Sequence, residues 1–113
     1  MPQDAQQCYV HAVLELYLQL PDTPAYFSDL DYQQAEEWFL RQVPLETVQL
    51  ALLLAASRRA NRPPQALPLS PIRSLRYFRP VLDEIQANSL SPKVAAYLRY
   101  KAEKLLGLNS PSD

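Results

Sequence analysis

Glycine occurs once in this 113-residue chain, at Gly107, whereas proline occurs eleven times. Hairpin sheets need glycine at turn positions with positive φ, and phosphate-cradling loops need it where the backbone closes on the ligand. One glycine near the C-terminus speaks against both. Histidine and cysteine also occur once each. A zinc site wants about four ligands, so these two residues do not supply one, and no cofactor or metal is expected. Cys8 has no partner for an internal disulfide, which fits a reducing cytoplasm. It reads as a small side chain on the first helix rather than a nucleophile. The longest apolar run, Leu50–Ala56, has seven residues, against about 20 for a membrane span, so no membrane association is expected. The N-terminal MPQDAQQC lacks the basic and apolar regions of a signal peptide. A cytoplasmic location follows as an expectation.

The sequence has instead a 48% hydrophobic fraction, enough for one folded domain, arranged with helical periodicity. Tyr9, Val13, Leu16 and Leu20 form one stripe, with Val10, Leu14, Tyr17 and Leu18 beside it. That predicts a first helix from after Asp4 to about Leu20, ended by Pro21 and Pro24. A second helix, capped by Ser28, Asp29 or Asp31, runs to about Gln42 and buries Leu30, Ala35, Trp38 and Phe39. A third opens at Pro44 and continues through LETVQLALLLAASRR to about Ala60. It is apolar almost all round at Leu50–Ala56, so other helices should surround it.

The segment NRPPQALPLSP reads as an extended loop. Ser70 then caps a helical turn with Pro71 at its first position, and Ser74 offers a second start. The fourth helix carries Ile72, Leu75, Phe78, Leu82 and Ile85, with a kink or break expected at Arg76–Arg79 because Pro80 removes a backbone bond. A fifth helix starts at Ser91–Pro92, packs Val94, Tyr97, Leu98 and Leu105, and is stopped by Gly107. The expected fold is therefore all-α, a compact bundle of about five helices with a Pro-rich loop between helices 3 and 4. It forms a single domain over residues 1–107 with a frayed tail at 108–113.

Catalytic constellations are not evident. His11 and Glu15 lie one turn apart and read as a solvated contact. Glu36–Glu37 and Asp83–Glu84 are sequence neighbours, which on a helix point about 100° apart. The chain reads as a non-enzyme. Trp38, Phe39, Tyr17, Phe78 and Tyr97 read as core, and Tyr26, Phe27 and Tyr32 as a cover for the bundle's end or a sticky patch.

Charge is segregated. Residues 1–46 hold eight acids and one base, a balance of −7; residues 47–82 hold six arginines and no acid; residues 83–113 hold four of each. Within the basic block, SPIRSLRYFRP spaces Arg73, Arg76 and Arg79 by three, along one flank of the expected fourth helix. Arg58, Arg59 and Arg62 close the third helix. If the loop folds back, all six lie on one edge. Arginine suits bidentate phosphate contact, and Tyr77 is a candidate stacking platform for a single-stranded base. These seven residues are the candidate nucleic-acid-binding set. Two other readings stay open: a protein-docking surface made by the arginine edge or the aromatic patch, another copy of the chain included among its partners, and an arginine set that only balances the acidic half.

SLRYFRPVLDEI resembles the end of the C-terminal helical domain of DnaD-like primosome proteins and phage replisome organisers. In that motif a Tyr is followed by an aliphatic pair four and five residues on and a Trp at eight; Tyr77, Val81 and Leu82 fit, and Ile85 stands in the Trp place. Tyr17, Trp38 and VPLETVQLALLLAA follow the family's order upstream, so the resemblance spans roughly residues 10–86. It implies single-stranded DNA binding through the motif helix, contact with replication proteins, and a bacterial or mobile-element origin. The PIRSLRYF context is also similar to short bacterial proteins without assigned activity, which implies no function.

Overall fold

Leu45–Ala60 forms the helix around which the rest of the chain packs. Its apolar positions point in every direction: Val48, Leu50, Ala51, Leu52, Leu53, Ala55 and Ala56 are all buried. Burying a leucine fully is worth roughly 1.5–3 kcal/mol, so such a segment is stable only if covered on all sides. The computed structural model describes residues 4–88 and 90–107. They form five α-helices: α1 (Ala5–Gln19), α2 (Asp29–Leu40), α3 (Leu45–Ala60), α4 (Arg79–Asn88) and α5 (Pro92–Leu106). A 3-10 turn at Leu75–Phe78 leads directly into α4. Helices α1, α4 and α5 and the 3-10 turn pack on α3, and α2 packs on α1. No strand occurs among the described residues. The all-α bundle expected from the sequence is the fold observed; the tail at 108–113 lies outside the described residues.

Local chemistry sets the helix ends. The Asp4 side chain accepts from the Gln6 N–H at the start of α1. Ser28 and Asp31 exchange hydrogen bonds as a capping box at the start of α2. α2 ends two residues before Gln42, which adopts φ 63°. Gln42 N–H donates to the Phe39 carbonyl and Val43 N–H to that of Trp38, the paired bonds of a Schellman ending. Ser91 and Pro92 open α5, and Gly107 closes it at φ 74°.

Several expectations need correction. Residues 70–74 are irregular, so Ser70 and Pro71 open no helical turn. Ser74 is the true cap, accepting from Arg76 N–H. The reason is tertiary: Ile72 N–H is drawn to the Asp22 carbonyl at 2.8 Å and Leu75 N–H to the buried Asp31 carboxylate at 2.9 Å. The break expected before Pro80 is present as the change from 3-10 to α-helix. Leu30 is 57% exposed rather than buried, because α2 turns Asp31, Gln34, Ala35 and Trp38 inward. Phe39 is half-buried, edge-on to Tyr9.

The largest correction concerns α5. Val94, Tyr97 and Leu105 do not pack, and Tyr97 is not core. The helix turns Ala102 and the flanking Ala95, Leu98 and Leu106 toward the core instead.

Candidate nucleic-acid interface

The fold brings three of the six candidate arginines to one groove. The Pro-rich segment does fold back, and it brings Arg58, Arg59, Arg62 and Tyr77 around one groove of about 370 Å³, together with Leu69, Pro80 and Val81. Arg73 lies in the irregular segment, Arg76 in the 3-10 turn and Arg79 at the start of α4; all three are exposed and none lines that groove. Without a helix through residues 70–74, helical spacing does not place Arg73 on the Arg76–Arg79 flank.

Two of the three groove arginines, Arg58 and Arg59, are occupied within the molecule. Arg58 donates from both terminal nitrogens to the Glu84 carboxylate of α4, at 3.0 and 2.8 Å. This bidentate bond and the nearby positive charge hold the Glu84 carboxyl below its usual range. Arg59 is a latch. Its side chain is only 9% exposed. It donates to the Ser70 carbonyl at 3.0 Å, to Asp22 Oδ2 at 3.2 Å and to the Tyr77 hydroxyl at 3.2 Å. Burial opposes its charge, but the bonds to Tyr77 and Asp22 more than offset that, and its pKa lies above the ordinary arginine value. Its guanidinium also sits over the Tyr77 ring, 5.4 Å from the centroid. Tyr77 thus meets Arg59 on its face and at its hydroxyl, and Phe78 edge-on. A base stacking on Tyr77 would compete with Arg59.

Arg62, Arg73, Arg76 and Arg79 enter no ion pair among the described residues. Two further groups stand outside the candidate set. Tyr26 and Phe27 in the α1–α2 connection are exposed beside Leu30, with Phe27 and Tyr32 ring centroids 6.4 Å apart. Tyr97 and Tyr100 of α5 are exposed, each covered by a lysine of the next turn. The α5 tyrosines escaped the sequence reading because tyrosine at helical spacing fits a core face as well as a surface. The four-to-four charge balance of residues 83–113 also hid where each charge points.

No group of three or more His, Cys, Asp or Glu side chains close enough to hold a metal occurs among the described residues. His11 and Glu15 are both exposed on α1, with no hydrogen bond or ion pair between them. No described helix is long and apolar enough to cross a membrane. Comparison with protein-family models, curated proteins and solved structures finds no match for this chain.

Proposed function

We propose that this chain is a small non-catalytic protein that binds single-stranded nucleic acid, DNA for preference, through Arg62, Arg73, Arg76 and Arg79. One observation carries the reading. The chain satisfies Arg58 and Arg59 internally with Glu84, Asp22 and Tyr77, yet leaves these four guanidiniums without a carboxylate, in a block of residues 47–82 that contains no acid. Arginines in that state suit phosphate oxygens. Arg58, Arg59 and Tyr77 then serve as the frame that holds the segment in place, not as direct contacts. The DnaD-like resemblance of Tyr77, Val81 and Leu82 supports an accessory role in the replication of a bacterium or mobile element, within the cytoplasm.

The test is fluorescence anisotropy on single-stranded and duplex DNA over roughly 50–200 mM salt. Four arginine–phosphate contacts predict a log K against log salt slope at least as steep as about −3. Replacing Arg62, Arg73, Arg76 and Arg79 by Ala should weaken binding strongly and leave helicity unchanged; wild-type affinity in that variant refutes the assignment. Glu84→Gln should tighten binding modestly, because it removes a negative charge beside the arginine block.

A second reading, a protein-docking module, draws on the exposed Tyr26, Phe27 and Leu30. Under it the chain ignores DNA at low salt, and size-exclusion chromatography shows an assembly. If that assembly joins the −7 and basic regions of different copies, it should dissociate as salt rises.

A further inference from the structure

Helix α5 has two chemically distinct sides. At 100° per residue, Ala95, Leu98, Ala102 and Leu106 fall on the side that meets the core. The only acid of α5, Glu103, lies at the edge of that side. It is paired there with Arg99 at 3.2 Å, and Arg99 also reaches Gln49 of α3. The opposite arc, about 100° wide, holds Lys93, Tyr97, Tyr100, Lys101 and Lys104 and no acid. Both tyrosines are well exposed, Tyr97 at 58% and Tyr100 at 49%. Lys101 lies 5.6 Å from the Tyr97 ring centroid, and Lys104 lies 5.6 Å from that of Tyr100. The same tyrosine–lysine pairing therefore occurs twice, offset by three residues.

We infer that this outward face of α5 is a second single-strand-binding surface, on which Tyr97 and Tyr100 stack bases while Lys93, Lys101 and Lys104 contact phosphates. The inference rests on the nucleic-acid reading above and extends it to residues outside the arginine block. The composition of the face selects the occupant. A second copy docking α5 on α5 would oppose three lysines to three lysines. An apolar partner helix would find a centre of lysine and tyrosine, with Val94 and Leu105 only at the border. A single strand offers both complements at once: phosphates for the ammonium groups and flat π-faces for the rings. The lysines that now cover the rings need only swing aside to phosphate as bases arrive.

The test is anisotropy with a fluorescein-labelled oligothymidylate. Tyr97→Ala with Tyr100→Ala should weaken binding roughly tenfold or more, while Tyr97→Phe with Tyr100→Phe should keep wild-type affinity. Replacing Lys93, Lys101 and Lys104 by Ala should flatten the salt slope by about 2, from about −5 for seven cations to about −3 for the arginines alone. All five side chains are exposed, so urea midpoints should match wild type. If the α5 variants bind as wild type while the four-arginine variant does not, the α5 surface is overturned and the proposed function stands. If the reverse holds, the α5 surface stands and the arginine assignment falls. If the wild-type protein binds no single strand at low salt, or an acidic protein occupies this face instead, the inference falls.

Discussion

Asp31 shows how much of the fold one side chain decides. It is 2% exposed, and its two oxygens do different work. Oδ2 accepts the Ser28 N–H and completes the cap of α2; Oδ1 accepts the Leu75 N–H, 44 residues away in sequence. The start of α2 and the 3-10 turn are thereby fixed to one carboxylate, and the arginine-bearing segment takes its place from that bond. Asp31→Ala should remove the reciprocal cap bond, worth about 1 kcal/mol. It should also leave a buried amide unpaired, at about 1–3 kcal/mol. A loss of roughly 2–4 kcal/mol in urea unfolding is expected, and a loss below about 0.5 kcal/mol would show the Leu75 bond to be dispensable. The sequence offered Asp31 as one of three possible caps; the structure makes Ser28 the cap and gives Asp31 the reciprocal bond and the contact with Leu75.

At the scale of the element, the shortage of glycine has a local consequence. Among the described residues, two that are not glycine adopt left-handed backbone, Asp22 at φ 67° and Gln42 at φ 63°. Aspartate tolerates that region better than glutamine does. Asp22 also uses it, offering its carbonyl to Ile72 and its carboxylate to Arg59. Gln42 holds the position where a Schellman ending favours glycine. Gln42→Gly should therefore stabilise the protein by roughly 0.5–1 kcal/mol, read as a rise in the urea midpoint without change in slope. Destabilisation would mean that the Gln42 side chain contributes more than its backbone conformation costs. The helix ends at Ser28, Ser74, Ser91 and Gly107 were legible in the sequence because capping is local chemistry. The failed helical turn at Ser70–Pro71 was not, because its backbone is claimed by Asp22 and Asp31 from a distant part of the chain.

At the scale of the whole molecule, burial governs the response to pH. Desolvation raises Tyr9 to about 12, and burial followed by the charge of Asp31 raises Tyr17 to about 12. The Tyr9 hydroxyl donates to the Val43 carbonyl at 2.8 Å, and the Tyr17 hydroxyl is buried. An unfolded tyrosine ionises near 10. A folded pKa above that value stabilises the native state fully below about pH 10. The contribution is lost progressively as pH rises through about 12. Stability should accordingly fall between about pH 10 and 12, and tyrosinate absorbance should show Tyr9 and Tyr17 ionising late, toward pH 12. In Tyr17→Phe the late step should shrink to the one tyrosine that remains, Tyr9; its absence from the wild-type titration would contradict the packing of α1.

The sequence by itself determined the helices and the central place of α3. It also determined the segregation of acid from arginine, since periodicity, capping and composition are properties of residues close together in the chain. The tertiary structure alone decided which charges are available. Arg58 and Arg59 are drawn into bonds with Glu84, Asp22 and Tyr77, while Tyr97 and Tyr100 are turned outward among lysines. The physical reason is that a side chain's partner and exposure depend on which elements pack against it. α3, covered on all sides, leaves α5 only one face to bury and one to present to solvent.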